Sequence, residues 1–236
     1  IGMSLGSGRI LIQNEKCLEC FDVKKFCKEI PVIANLGAVQ LNYGFSLKEC
    51  KKIVELVNAD ALALHLNPLQ EAIQKEGQTD FRNLLKKIKD INQKLGCPVI
   101  VKEVGAGISG KAGKKLKDIG INYLDISGYG GTNFAAIESL RKNQEDTVFK
   151  NWGIPTSESI KMNSSLDINL IASGGIRNGL EIAKAIGLGA DYCSIGLPLL
   201  KPATVSFLEV EKTINKVVDK MNAYLSICLL AFIIFL

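Results

Sequence analysis

Residues 65–74 read HLNPLQEAIQ, a concentration of His65, Asn67, Gln70, Glu71 and Gln74 directly after the apolar run Ala61–Leu66. Amide and imidazole groups recognise oxygen-rich ligands, and Glu71 is an oxygen ligand of the kind Mg²⁺ uses. A single carboxylate suits Mg²⁺, which keeps waters and completes its shell with substrate phosphates. Lys102, in the run PVIVKEV, stands on an apolar strand where an interior ammonium is rare unless paired or functional. There it can stabilise negative charge on a ligand; a salt bridge to Glu103 or Asp125 is the structural alternative. Further on, Gly174-Gly175-Ile176-Arg177 leads into a helix and Gly196-Leu197 follows the next strand. Glycines allow close backbone approach, and such turns with a helix behind them hold phosphate groups. Ser127 and Thr132 flank the glycines of GYGGT with hydroxyls.

These groups need a scaffold that brings strand ends together. Ala61–Leu66 is apolar throughout, as in a strand buried on both faces, and Pro68 stops it near Asn67. The same pattern predicts strand ends near Leu5, Leu36, Leu66, Val104, Ser127, Ser173 and Ile195, with a helix after each. Helices are expected over Asn14–Glu29, over Leu47–Asn58 behind a Ser46/Glu49 capping box, and over Phe81–Leu95 capped by Asp80. Ser109–Ile119, Gly179–Leu188 and a last helix through Met221 complete the set, and Phe134–Ser165 forms a long excursion. Alternating βα units mean a parallel sheet. A (β/α)8 barrel takes about 250 residues, so the expectation is one barrel domain over residues 1–236, with its first βα unit missing and both ends cut. The absence of G-x-G-x-x-G weighs against the alternative, a doubly wound sheet.

Composition narrows the function. Of the 236 residues 47% are hydrophobic and 22% charged, with a net charge of +5, which is ordinary for a soluble domain. The mild charge fits an anionic small molecule at least as well as nucleic acid, and with no Arg/aromatic interleaving of the RNA-binding kind no nucleic-acid partner is expected. Seven cysteines without framework spacing point to a reducing compartment, and Cys17 and Cys20 read as two residues on a helix. The apolar run Ala223–Leu236 is shorter than the roughly 20 residues that span a bilayer; a buried terminal helix is expected rather than a membrane anchor.

Taken together, residues 65–71 (HLNPLQE), 102–105 (KEVG), 127–132 (SGYGGT), 152–156 (WGIPT) and 172–177 (ASGGIR) resemble the type 2 isopentenyl-diphosphate isomerases. The first motif is specific to that family; the last is shared with many FMN-binding barrels. The resemblance runs from about residue 2 to about residue 200. It implies a barrel binding FMN and Mg²⁺, with NADPH reducing the flavin, and interconversion of isopentenyl and dimethylallyl diphosphate with reduced FMN acting in proton transfer. A cytoplasmic homo-oligomer is implied as well. By position, Ser7, Asn35, Lys102, Ser127, Thr132, Gly174, Gly175, Arg177, Gly196 and Leu197 would contact FMN. Ser7, Arg9, His65, Asn67 and Gln70 would face the substrate, Glu71 would hold Mg²⁺, and Gln70 and Lys102 would be catalytic. The chain departs from the family at Gly8, where Gln is usual, and no counterpart of the family's basic N-terminal segment or first-strand glycine loop is found.

Moving a double bond requires a proton gained at one carbon and lost at another. No protein acid–base pair stands beside Gln70, which suits a cofactor-borne acid and base. A 2-hydroxy-acid oxidase would need a catalytic His in a late loop, and the one histidine is His65. A non-catalytic, truncated relative of the FMN barrels is the remaining alternative.

Overall fold

The computed structural model describes residues 1–142 and 148–234, with side chains as far as 227. Seven parallel strands run in sequence order, β1 (Met3–Ser4), β2 (Val32–Gly37), β3 (Ala61–His65), β4 (Val99–Lys102), β5 (Tyr123–Asp125), β6 (Asn169–Ala172) and β7 (Tyr192–Cys193). Each pairs with the next, and β1 and β7 are the edges. This is the sheet of a (β/α)8 barrel less one unit. Every strand end expected from the apolar runs falls within three residues of the observed one.

The helices are α1 (Arg9–Gln13), α2 (Leu47–Leu56), α3 (Pro68–Ile73), α4 (Leu84–Lys94), α5 (Gly110–Asp118), α6 (Phe134–Arg141), α7 (Thr156–Asn163), α8 (Gly179–Gly187), α9 (Leu197–Ala203) and α10 (Phe207–Ile234). Alternation along the strands divides the core. Leu62, Leu64, Val101, Leu124 and Leu170 pack outward with helix residues Ile53, Ile88, Leu116, Ile160 and Ile182. Ala61, Ala63 and Ile100 form a second cluster, with Ile33, Tyr123 and Ile171 against it. That second set has the other side-chain parity, so it lies on the inner face.

Three helix expectations need correction. Asn14–Glu29 is not one helix: α1 ends at Gln13, and two 3₁₀ turns, Glu15–Cys20 and Val23–Lys25, follow. The Asn14 side chain accepts from Lys16 N and the Asp22 side chain from Lys25 N. Such local bonds compete with a continuing helix. Asp80 does not cap α4, because its carboxylate is committed to Arg82 through the backbone N–H and the guanidinium; Asn83, in the left-handed region at φ 57°, precedes the helix instead. The terminal helix runs past Met221 to Ile234. It docks on α8, where Gly179 lets it come close: a Cβ there would lie 2.3 Å from Met221 N. It is not buried over Ala223–Ile227, since Ile227 is 60% exposed; the side chains of the rest of the apolar run lie outside the described residues. Among the described residues no helix is long and apolar enough to cross a membrane.

Candidate active site

Parallel strands place all their C-terminal ends on one rim, and each expected site residue lies near a strand's end, in the turn after it or in the first turn of the helix that follows. Register fixes which side chains are neighbours. Gly37, His65, Lys102, Asp125 and Ile171 are successive partners across β2 to β6. They form one layer on the inner face at the mouth, above the layer of Ala63, Ile100 and Tyr123. An imidazole, an ammonium and a carboxylate thus stand side by side over an apolar floor.

His65 Nδ1 lies 2.8 Å from Asn35 Oδ1. An amide oxygen only accepts, so Nδ1 carries the hydrogen and Nε2 is left with its lone pair. Burial, aided by the Lys102 ammonium, pulls the His65 pKa down to about 4, so the ring is neutral at pH 7. Lys102 Nζ donates to the Glu103 carbonyl, not to a carboxylate as a structural salt bridge would require. Glu103 Oε2 accepts instead from the N–H groups of Val104, Gly105 and Ala106, at 2.7, 2.9 and 2.6 Å. Burial raises the Glu103 pKa, and those N–H groups oppose the rise.

After β3, Pro68 at the start of α3 sets Asn67, Gln70 and Glu71 on its first turn. Glu71, 4% exposed, accepts from Asn67 Nδ2, Gln74 Nε2 and the Gln78 N–H. Gln70 accepts from Asn67 and donates to Glu138 Oε1 at 3.1 Å. Asn67 Oδ1 is buried without a partner among the described residues. An orphaned amide oxygen beside a carboxylate fits a hard cation. Among the described residues no three acidic, His or Cys side chains form a metal cage, so such a cation would take its other ligands from water and phosphate.

The glycine turns interlock. Gly174 and Gly175 have φ of 92° and 82°, and any side chain on them would strike the Gly128 and Gly130 carbonyls, 2.1 and 2.5 Å from the added Cβ. Thr156 Oγ1 donates to the Gly174 carbonyl, and the Arg177 guanidinium to the carbonyls of Gly175 and Gly130. Arg177 therefore staples the two turns and keeps further N–H groups to spare. The Gly175 and Ile176 N–H groups have no acceptor among the described residues. A Cβ at Gly131 would sit 2.6 Å from Gly175 N, so glycine there leaves that donor open. Gly196, with nothing within 4 Å of an added Cβ, opens α9. These open donors fit the phosphate of FMN.

Not all the expected residues meet. Gln70, on α3, and Lys102, at the end of β4, share no hydrogen bond. Ser7, Arg9, Thr132 and Leu197 are exposed on the rim. Gly8 is dictated by packing, as a Cβ would lie 2.5 Å from Ile53 Cδ1; a Gln is excluded unless Ile53 moves. Sequence reasoning missed Glu138, buried on α6 beside Gln70, whose only signal is an acidic residue in the run FAAIESL. It also took Asp125 only as a possible partner for Lys102.

A sequence profile described as FMN-dependent dehydrogenase matches residues 39–229. The isopentenyl-diphosphate delta-isomerase of Rickettsia bellii (strain RML369-C) is 45% identical over 229 residues, 94% of this chain and 67% of that protein. The enzymes of the same name from Rickettsia typhi and from Nostoc sp. are each 43% identical, over 94% and 87% of this chain and 67% and 61% of theirs. The chain thus spans about two thirds of the length of these relatives. Inosine 5′ monophosphate dehydrogenase from Legionella pneumophila shares the fold, with a TM-score of 0.54 at 21% identity over 82% of this chain and 49% of that one. By profile and by identity, the chain belongs to the isopentenyl-diphosphate delta-isomerase family of the FMN-dependent dehydrogenases.

Proposed function

We infer that this chain interconverts isopentenyl and dimethylallyl diphosphate on a bound flavin, with Mg²⁺ at Glu71. The observation that carries the reading is the inner-face layer of His65 and Lys102 beside the Asn67–Gln70–Glu71 cluster, in a chain 45% identical to an isomerase of that name. Reduced FMN would supply the proton donor and acceptor of the allylic shift. The open N–H groups of the turn after β6 and of Gly196 would bind its phosphate, with Arg177 holding the turns in place. Lys102 would face the flavin's negative charge. Neutral His65, held by Asn35, and the amides of Asn67 and Gln70 would orient the substrate; Ser7, Arg9 and Thr132 line the same rim. Gln70 is fixed by Asn67 and Glu138, which suits a group that must hold the reacting carbons in one pose. Glu71 would share Mg²⁺ with the diphosphate. NADPH as reductant, a cytoplasmic setting and a homo-oligomer, as the family resemblance implies, complete the reading.

The test is isomerisation of isopentenyl diphosphate by the purified chain with FMN, dithionite and Mg²⁺. Deuterium from D₂O should enter the product, and denaturation should release FMN. A chain that takes up no added FMN is not a flavoenzyme. One that binds FMN tightly and never exchanges deuterium is a non-catalytic relative.

A further inference from the structure

Asp125 is 7% exposed, at the end of β5. Its Oδ1 accepts twice, from the Ser127 N–H at 3.1 Å and from Ser173 Oγ at 2.5 Å. Ser127 begins the turn after β5 and sits in the left-handed region, at φ 33°. A non-glycine residue held there is strained and persists only where the surroundings fix it. Ser173 begins the turn after β6, which carries Gly174 and Gly175. One carboxylate oxygen therefore ties together the two turns whose glycines interlock above it. Oδ2 has no hydrogen-bond partner among the described residues. Asp125 and Lys102 are register partners on neighbouring strands, so their side chains lie on the same face and in the same layer. They do not form an ion pair within 4 Å. The other carboxylate near Lys102, Glu103, is taken by its own loop. Asp125 is thus the negative charge left to face Lys102.

We propose that Asp125 is a positioning residue for the flavin site: Oδ1 locks the two turns together, and the charge balances Lys102. The preference for reduced over oxidised flavin then belongs to the pair, not to Lys102 alone. Burial raises the Asp125 pKa and the Lys102 ammonium opposes the rise, so the two groups sense each other. The arrangement gives a reason for an acid in this layer: it balances a half-buried ammonium that would otherwise lack a counter-charge. The proposal rests on the flavin reading above.

The quantity to measure is the ratio of dissociation constants for oxidised and reduced FMN, determined anaerobically. Asp125→Asn keeps an oxygen for both hydrogen bonds and removes the charge, at the cost of an amide NH₂ in place of Oδ2. It should shift the ratio at least tenfold toward reduced FMN, about 30 mV for a two-electron couple. Lys102→Gln should shift it as far the other way, and the double variant should stand tenfold above Lys102→Gln. Asp125→Ala, which also cuts the tie, should lose at least tenfold in affinity for both forms relative to Asp125→Asn. If Asp125→Asn does not fold, the double variant against Lys102→Gln reads the same charge. Ratios unchanged within twofold in either comparison, with FMN bound, overturn the proposal alone. A wild-type chain that binds no FMN overturns the flavin reading and the proposal with it.

Discussion

Glu71 carries more than one duty. Its two oxygens receive the Asn67 and Gln74 amides and the Gln78 N–H, so it organises the turn after β3 as well as offering a ligand. Glu71→Gln would set an NH₂ group against one of these donors. The expected loss is about 1–3 kcal/mol of unfolding free energy, together with most of the Mg²⁺-dependent turnover, while FMN is still taken up. Chemical denaturation and an Mg²⁺ titration of activity check the two parts; normal turnover without extra Mg²⁺ removes Glu71 from the metal site. His65 makes a pH prediction. Its folded pKa, about 4, lies below the ordinary 6.5, so between those values the unfolded chain binds more protons. Stability is therefore full above pH 6.5 and falls as pH drops toward 4, by at most about 3 kcal/mol. His65→Gln should flatten that part of the profile, measured as the difference from wild type in denaturant midpoints at pH 7 and 4.5. Why these residues were legible is plain: polar side chains clustered after an apolar strand are conspicuous in a sequence. Glu138 was not, because its partner Gln70 is 68 residues away and only the fold brings α6 beside α3.

At the scale of elements, local rules worked where one stretch of chain decides the outcome. The Ser46/Glu49 capping box is present as read, with Ser46 N and Oγ both donating to the Glu49 carboxylate. Ser46→Ala should cost α2 about 1 kcal/mol, seen as a lower thermal midpoint with FMN uptake unchanged. The rules failed where side chains found partners other than the expected helix cap or turn. Over residues 14–29 the Asn14 and Asp22 side chains cap short turns, and Lys24 also reaches Asp60 and the Ile30 carbonyl. Asp80 is claimed by Arg82, and its backbone by Asn42 and Tyr43. The interlocking of GYGGT with Gly174 and Gly175 was equally hidden. The sequence shows two glycine turns but not that each must be glycine because of the other.

For the whole molecule, strand parity does the organising. Odd and even positions of the same short strands feed two different clusters, and the inner one ends in the layer that holds His65, Lys102 and Asp125. The turns above that layer are not equally anchored. Those after β4, β5 and β6 are fastened from below and across by Glu103, Asp125, Thr156 and Arg177. Glu103 alone holds three successive amides, which makes the turn after β4 a part that opens late. Its Val104, Gly105 and Ala106 amides should exchange with solvent hydrogen as slowly as the strand beneath them, and slower than the exposed rim around Ser7 and Gly196. Exchange measured by mass spectrometry or NMR would show whether they do. A rim built this way carries, after β4 to β6, a wall that does not wait for a ligand to take shape.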